Sequence, residues 1–267
     1  MAKECHKQFS VKTFSIFEDS PITLDKWLTT LWLVVNCKNG ISSWEIHRSV
    51  GVTQKSAWFM LHRIRLALQN QSFMRMGQEG GPIEAGETFI GGKRKNKHLK
   101  HRAEPWNSQK DNKVPVFGML DRKTREVRAK VIPDIKRETL QSEILDQVAH
   151  GSKIYTDEWT GYRGLRDKFV HDTVNHLEEY VRGEVHTQGI ENFWSLLKRS
   201  LSGTYVAVEP FHQSRYVDEQ AFRFNNRATK DNPLTDAYRF ALAVSQCAGK
   251  RLTYAQLTGK DGEASSS

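Results

Sequence analysis

The sequence predicts an α/β protein, a mixed five-stranded sheet with flanking helices, preceded by an all-α helix-turn-helix module. Residues 24–70 carry apolar side chains at helical spacing, with capping residues and a glycine turn between two of the segments. From residue 82 the pattern changes to short alternating runs bounded by glycine and turn residues, which is how strands read. Amphipathic segments then follow the later runs and supply the helices that cover a sheet.

LDKWLTTLWLVVN (24–36) predicts a helix with Leu28, Leu31, Trp32 and Val35 on its apolar face. Ser42 followed by Glu45 is a capping box that opens a short helix to about Arg48. Gly51 marks a tight turn, and Thr53 caps a longer helix with Ala57, Met60, Leu61, Ile64 and Leu68 at helical spacing. Gln54, Lys55, Arg63 and Arg65 on that second helix suit a helix-turn-helix that touches DNA; two packed helices with no DNA role remain the other reading.

PIEAGETFIGG is a strand ended by a glycine pair, and VPVFGML (114–120), a DRKT turn and EVRAKVI (126–132) form a hairpin. KRETLQSEILDQVAH (136–150) is an amphipathic helix, SKIYTD (152–157) a strand, and DEWTGYRGL the start of another helix. KFVHDTV (168–174) is a fifth strand, and GEVHTQGIENFWSLLKRSL (183–201) holds a long helix. The order β-β-β-α-β-α-β-α is that of an RNase-H-like fold. Residues 210–246 read as helical with a break at Asn232-Pro233, and the tail GKDGEASSS as disordered. The expected domains are an irregular 1–20, a helical 21–78, a sheet core over 79–230 and a C-terminal helix and tail over 231–267, with GQEGG (77–81) the clearest boundary.

Lys and Arg number 40 against 31 Asp and Glu, a net charge of +9, which favours a polyanionic partner such as nucleic acid. The run KRKNKHLKHR (93–102) concentrates that charge: Lys93, Arg94, Lys95 and Lys97 follow a strand and could reach phosphates from a loop. The three cysteines, Cys5, Cys37 and Cys247, form no CxxC pair, so neither a zinc site nor a disulfide framework is indicated and a reducing cytoplasm is expected. The longest apolar stretch, Trp27 to Val35, is far too short to span a bilayer, and no membrane partner is expected.

Two carboxylates and a lysine carry the chemistry. Glu191 and Lys198, seven residues apart, lie two turns apart on one side of a helix. Asp157 follows the apolar KIYT, where a strand leaves a sheet; it reads either as a metal ligand or as the cap of the next helix. Convergent carboxylates suit Mg²⁺, which takes oxygen ligands and assists phosphodiester chemistry in pairs of ions. The bland alternative is solvated surface charge.

These stretches resemble the bacterial insertion-sequence transposases of the DDE superfamily, and most of all their ISXO-type group. KQFSVKTFSIFEDS, GISSWEIHRSVGVTQKSAWFMLHRIR, IEAGETFIGGKRKNKH, IYTDEWTGYRGL, HTQGIENFWSLLKRSLSGTY and FHQSRYVDEQAFRFNNR carry the likeness over nearly the whole chain. The resemblance implies an RNase-H-like catalytic core, two Mg²⁺ or Mn²⁺ ions, transfer of element ends into target DNA, and assembly as a homo-oligomer on DNA. It makes Asp157 the second catalytic acid, Glu191 the third, both of them metal ligands, and Lys198 the accompanying base, with Arg199 beside it for DNA phosphate. Two departures stand out. The first catalytic Asp is replaced by Gly86, which implies impaired activity, with a decayed DNA-binding remnant or an RNase-H-like nuclease as alternatives. The cysteine-rich ribbon of the family is reduced to Cys5, so residues 1–20 are expected to be its remnant, truncated or read from an internal Met.

Overall fold

A computed structural model of the protein describes residues 9–69, 72, 74–91, 113–157, 160–174, 185–206, 208–230 and 232–260. In chain order the elements are helices α1 (Leu24–Asn36), α2 (Ser43–Val50) and α3 (Gln54–Ala67), strands β1 (Ile83–Ile90), β2 (Val114–Asp121) and β3 (Val127–Val131), helix α4 (Arg137–Gln147), strands β4 (Lys153–Asp157) and β5 (Val170–Val174), and helices α5 (Gln188–Ser200), α6 (Gln213–Asn225), α7 (Asp236–Ser245) and α8 (Tyr254–Thr258). They fall into two units, one of residues 1–69, 203–206 and 226–267, the other of residues 70–202 and 207–225.

In the helical unit the caps act as the sequence predicts. The Ser42 side chain accepts from the Glu45 N–H while the Glu45 carboxylate accepts from the Ser42 N–H, and Gly51 ends α2 in the left-handed region at φ 68°. Thr53 caps α3 by accepting from the Ser56 N–H. The α1 face is rotated from expectation: Trp27, Thr30, Leu31, Val34 and Val35 are buried, whereas Trp32 is exposed and meets Phe240 of α7 edge-on. Residues 231–260 are therefore no separate appendage, because α7 packs on α1 within this unit.

The second unit is built on a five-stranded sheet of order β3-β2-β1-β4-β5. β1 to β3 are antiparallel, and β4 and β5 run parallel to β1. With helices on both faces, this is the mixed α/β arrangement of an RNase-H-like core. Alternation divides the strands between two cores. Ile83, Ala85, Phe117, Met119 and Ile154 pack with Leu140 and Ile144 of α4. On the other face Ile90, Val116 and Leu120 pack with Ile190, Phe193, Trp194 and Leu197 of α5 and with Val217, Ala221 and Phe224 of α6.

Two expectations are corrected here. No α-helix lies among the described residues between β4 and β5; Thr160–Tyr162 and Leu165–Asp167 are short 3₁₀ turns, interrupted by Gly164 at φ 95°. The core begins before residue 79, since Met76 bridges Val148 and is buried with the sheet, and the Gly77 N–H donates to Asp121. Residues 9–20 form turns, with a bridge from Ser15 to Ala248, and residues 1–8 lie outside the described residues. Cys5, the basic run 93–102 and the tail from 261 lie outside the described residues. Among the described residues no helix is long and apolar enough to cross a membrane.

Candidate active site

The β1–β4 ladder pairs Ile83 with Ile154 and Glu84 with Tyr155. The ladder ends there, with Gly86 two residues beyond Glu84 on β1 and Asp157 two residues beyond Tyr155 at the end of β4. The faces agree as well. Arg122 donates to Glu84 and lies over the Tyr155 ring, so residues 84 and 155 share a face and, by alternation, so do 86 and 157. That face is the one α5 covers: among the described residues, a Cβ built on Gly86 meets only Ile190 Cγ2, at 3.7 Å. Glu191 is the next residue of α5, exposed in its first turn, and accepts from the Thr187 hydroxyl at 2.9 Å. Position 86 and the start of the Glu191 helix thus lie together, and strand alternation puts residue 157, at the end of β4, on the same face of the sheet.

Two glycines lie opposite each other on that face, Gly86 and Gly118 being register partners. A Cβ on Gly118 would lie 2.6 Å from Trp194 Cη2, so the indole requires a glycine there. Gly86 faces no such demand, since 3.7 Å is ordinary van der Waals contact. Among the described residues no three or more of His, Cys, Asp and Glu form a group able to hold a metal ion. The oxygen donors Asp157 and Glu191 suit a hard divalent cation in kind, and a glycine at 86 adds no donor.

Lys198 is exposed two turns along α5 from Glu191, with Arg199 exposed beside it. Desolvation, and then the neighbouring Lys113 ammonium, lower the Lys198 pKa. Glu87 points to the opposite face and accepts from the buried Tyr162 hydroxyl. Burial raises the Glu87 pKa, the Tyr162 hydrogen bond opposes the rise and the Asp157 charge adds to it.

The basic residues assigned to α3 divide. Lys55 is exposed, its ammonium 4.9 Å from the centre of the Tyr254 ring. Arg63 and Arg65 do not suit DNA contact, because both are buried. Arg63 donates to the carbonyls of Leu252, Ile16 and Glu18, and Arg65 lies over the Tyr205 ring at 5.1 Å. They bind segments distant in sequence into the helical unit. Lys93, Arg94, Lys95 and Lys97 lie outside the described residues.

The sequence reading missed the role of Glu84. It is 1% exposed, accepts from Arg122 Nε at 2.6 Å and from the Ile190 N–H at 2.9 Å. Arg122 also donates to His186 Nδ1 and to the His186 carbonyl, both at 2.6 Å. The available signal was a charged residue between Ile83 and Ala85 in an apolar strand, which asks for a buried partner.

A family model described as the ISXO2-like transposase domain matches residues 78–225. A Halobacterium salinarum protein, described as an uncharacterized protein in transposable element ISH50, is 27% identical over 215 residues, 76% of this chain and 70% of that protein. A Haemophilus influenzae protein described as an uncharacterized transposase-like protein is 32% identical over 101 residues, 38% of this chain and 81% of that protein. A solved structure, the simian T-cell lymphotropic virus intasome in complex with a PP2A regulatory subunit, aligns over 75% of this chain and 68% of that chain at 15% identity and a TM-score of 0.34, too slight a likeness to carry an argument.

Proposed function

The chain belongs to the ISXO2-like transposase domain family, and from that premise we propose that it binds the DNA ends of an insertion sequence and cleaves and transfers strands at a site made by position 86, Asp157 and Glu191, with activity lowered by Gly86. What supports the reading is that Ile190, one residue before Glu191, lies over Gly86, while Asp157 ends the strand that pairs in parallel with β1.

Asp157 and Glu191 would hold the divalent ions, Mg²⁺ or Mn²⁺, two in a competent site. When bound, such ions activate an oxygen nucleophile and stabilise the leaving oxygen. The chain's own part is to fix the two carboxylates on separate elements and to present Lys198 and Arg199 to the phosphates beside them. Removal of a partner that merely orients a metal ligand costs about 10–100-fold, and loss of a ligand itself costs more. DNA recognition is assigned to α2, the Gly51 turn and the exposed start of α3 with Lys55, acting as a helix-turn-helix, and to the basic run with Lys93, Arg94, Lys95 and Lys97. The protein acts in the cytoplasm as a homo-oligomer on paired element ends.

The glycine at 86 favours a second reading, in which the chain binds element ends without cutting them. Mg²⁺-dependent cleavage of element-end DNA by wild type and by Gly86→Asp separates the two. Cleavage by both, faster in the variant, fits the impaired enzyme, and cleavage by the variant alone fits the binding remnant. Efficient wild-type cleavage that Asp157→Asn leaves intact would refute the site.

A further inference from the structure

Helix α5 carries Glu191, and its start lacks a normal cap. Its N-cap residue, Thr187, has φ −117° and ψ 18° and makes no side-chain capping bond to the helix backbone; its hydroxyl donates to Glu191 instead. The first N–H groups of a helix need acceptors. One comes from a different element: the Glu84 carboxylate of β1 accepts from the Ile190 N–H, the position an N-cap side chain ordinarily serves. A carboxylate there also meets the positive end of the helix dipole.

The fit is close. A Cβ on Gly189 would lie 2.9 Å from Glu84 Oε2 and 3.0 Å from Leu120 Cδ2, so this turn approaches β1 only because residue 189 has no side chain. Arg122 holds the other carboxylate oxygen at 2.6 Å and ties the chain just before the helix through the His186 carbonyl. Glu84 therefore has both oxygens engaged, and it is two residues before Gly86 on the same face.

We propose that Glu84 is a positioning residue for Glu191: with Arg122 and Gly189 it fixes the height of α5 on β1, and hence where the Glu191 carboxylate lies relative to Asp157. The inference rests on the reading of Asp157 and Glu191 as metal ligands. It also excludes Glu84 as a substitute for the acid missing at 86, because turning its carboxylate toward a cation would release the helix and leave the buried part of Arg122 without its counter-ion.

The test is Mn²⁺ binding, followed by the EPR signal of the free ion, in the full chain carrying Gly86→Asp and in the same chain with Glu84→Ala, Gly189→Ala or Asp157→Asn added. Glu84→Ala should weaken Mn²⁺ binding by about 10–100-fold, and Gly189→Ala by a smaller factor, with the circular dichroism of the parent retained. Should Glu84→Ala not fold, Gly189→Ala, which removes no charge, decides alone. Parental affinity in the folded Glu84 and Gly189 variants, with binding lost in Asp157→Asn, overturns the positioning role alone. Parental affinity in Asp157→Asn, or no Mn²⁺ binding by the parent, overturns the site reading and the positioning role with it.

Discussion

Gly86→Asp tests both the space at position 86 and the charge around it. The backbone there has no positive φ, and the new Cβ meets Ile190 Cγ2 at 3.7 Å, so the Cβ enters without displacing a neighbour among the described residues. Replacing a strand glycine returns roughly 0.5–1 kcal/mol of backbone entropy. The cost is electrostatic. On the proposed site the new carboxylate would lie about one strand spacing, ~5 Å, from that of Asp157. Two like charges at that distance repel by about 3 kcal/mol at an effective dielectric of ~20 and by under ~1 kcal/mol in water. Without metal the variant should thus lie between roughly neutral and about 2.5 kcal/mol less stable than wild type. A divalent ion held by both carboxylates reverses the sign: at a hundred times its Kd it contributes about 2.7 kcal/mol. In a chain of this size that is a Tm rise of about 5–10 °C. Thermal unfolding of both proteins with and without saturating Mg²⁺ or Mn²⁺ reads this directly. A variant whose Tm responds to metal no more than wild type does would refute the shared pocket, and a metal-free loss well above about 3 kcal/mol would show that position 86 is not open.

Gly118→Ala should cost about 1–3 kcal/mol in urea unfolding, because its Cβ would meet the buried Trp194 indole at 2.6 Å. Arg63→Ala should destabilise the protein by roughly 2–4 kcal/mol, since three carbonyls lose their donor, whereas Lys55→Ala should leave stability within about 0.5 kcal/mol and weaken DNA binding in a gel-shift titration. Neutralising Lys93, Arg94 and Lys95 should reduce the slope of log affinity against log salt by up to ~2.7; an unchanged slope removes that run from the interface. Burial and the Asp157 charge hold the Glu87 pKa above 4.5 in the folded protein, so its contribution to stability is full below that pH and is lost as pH rises through the raised value. Glu87→Gln should therefore show a smaller loss of stability than wild type as the pH is raised above 4.5 in urea unfolding, and identical pH profiles would contradict the assignment.

What was legible in the sequence was what local chemistry decides. Ser42 with Glu45, Gly51 and Thr53 each set a helix end within their own turn, and the alternation of β1 and β2 shows on its face which residues meet which helix layer. What was not legible depended on partners far along the chain. Arg63 looks like a surface residue of an amphipathic helix until a carbonyl 189 residues away is laid over it. Glu84 looks like a stray acid until a helix N–H 106 residues away reaches it. The helix expected after Asp157 gives way to two short 3₁₀ turns, with Gly164 at φ 95° between them. In α1, Leu28 and Trp32 satisfy helical spacing as well as Trp27 and Val34 do; periodicity gives a stripe, and tertiary partners such as Phe17, which meets the Trp27 ring, decide which way it turns.

Gly86 and Gly118 show why the identity of a residue and its structural necessity have to be argued apart. They are register partners on the same face under the same helix, and in the sequence each is a glycine in an apolar strand. Trp194 fills the space above Gly118, so that glycine is a packing requirement, whereas the nearest atom above Gly86 is at ordinary contact distance. The apparatus that seats α5, Glu84 against the Ile190 N–H and Gly189 against β1, is intact around the bare position. Position 86 thus has room for a Cβ that position 118 lacks, and on the proposed reading any catalytic deficit from the glycine at 86 is separable from folding.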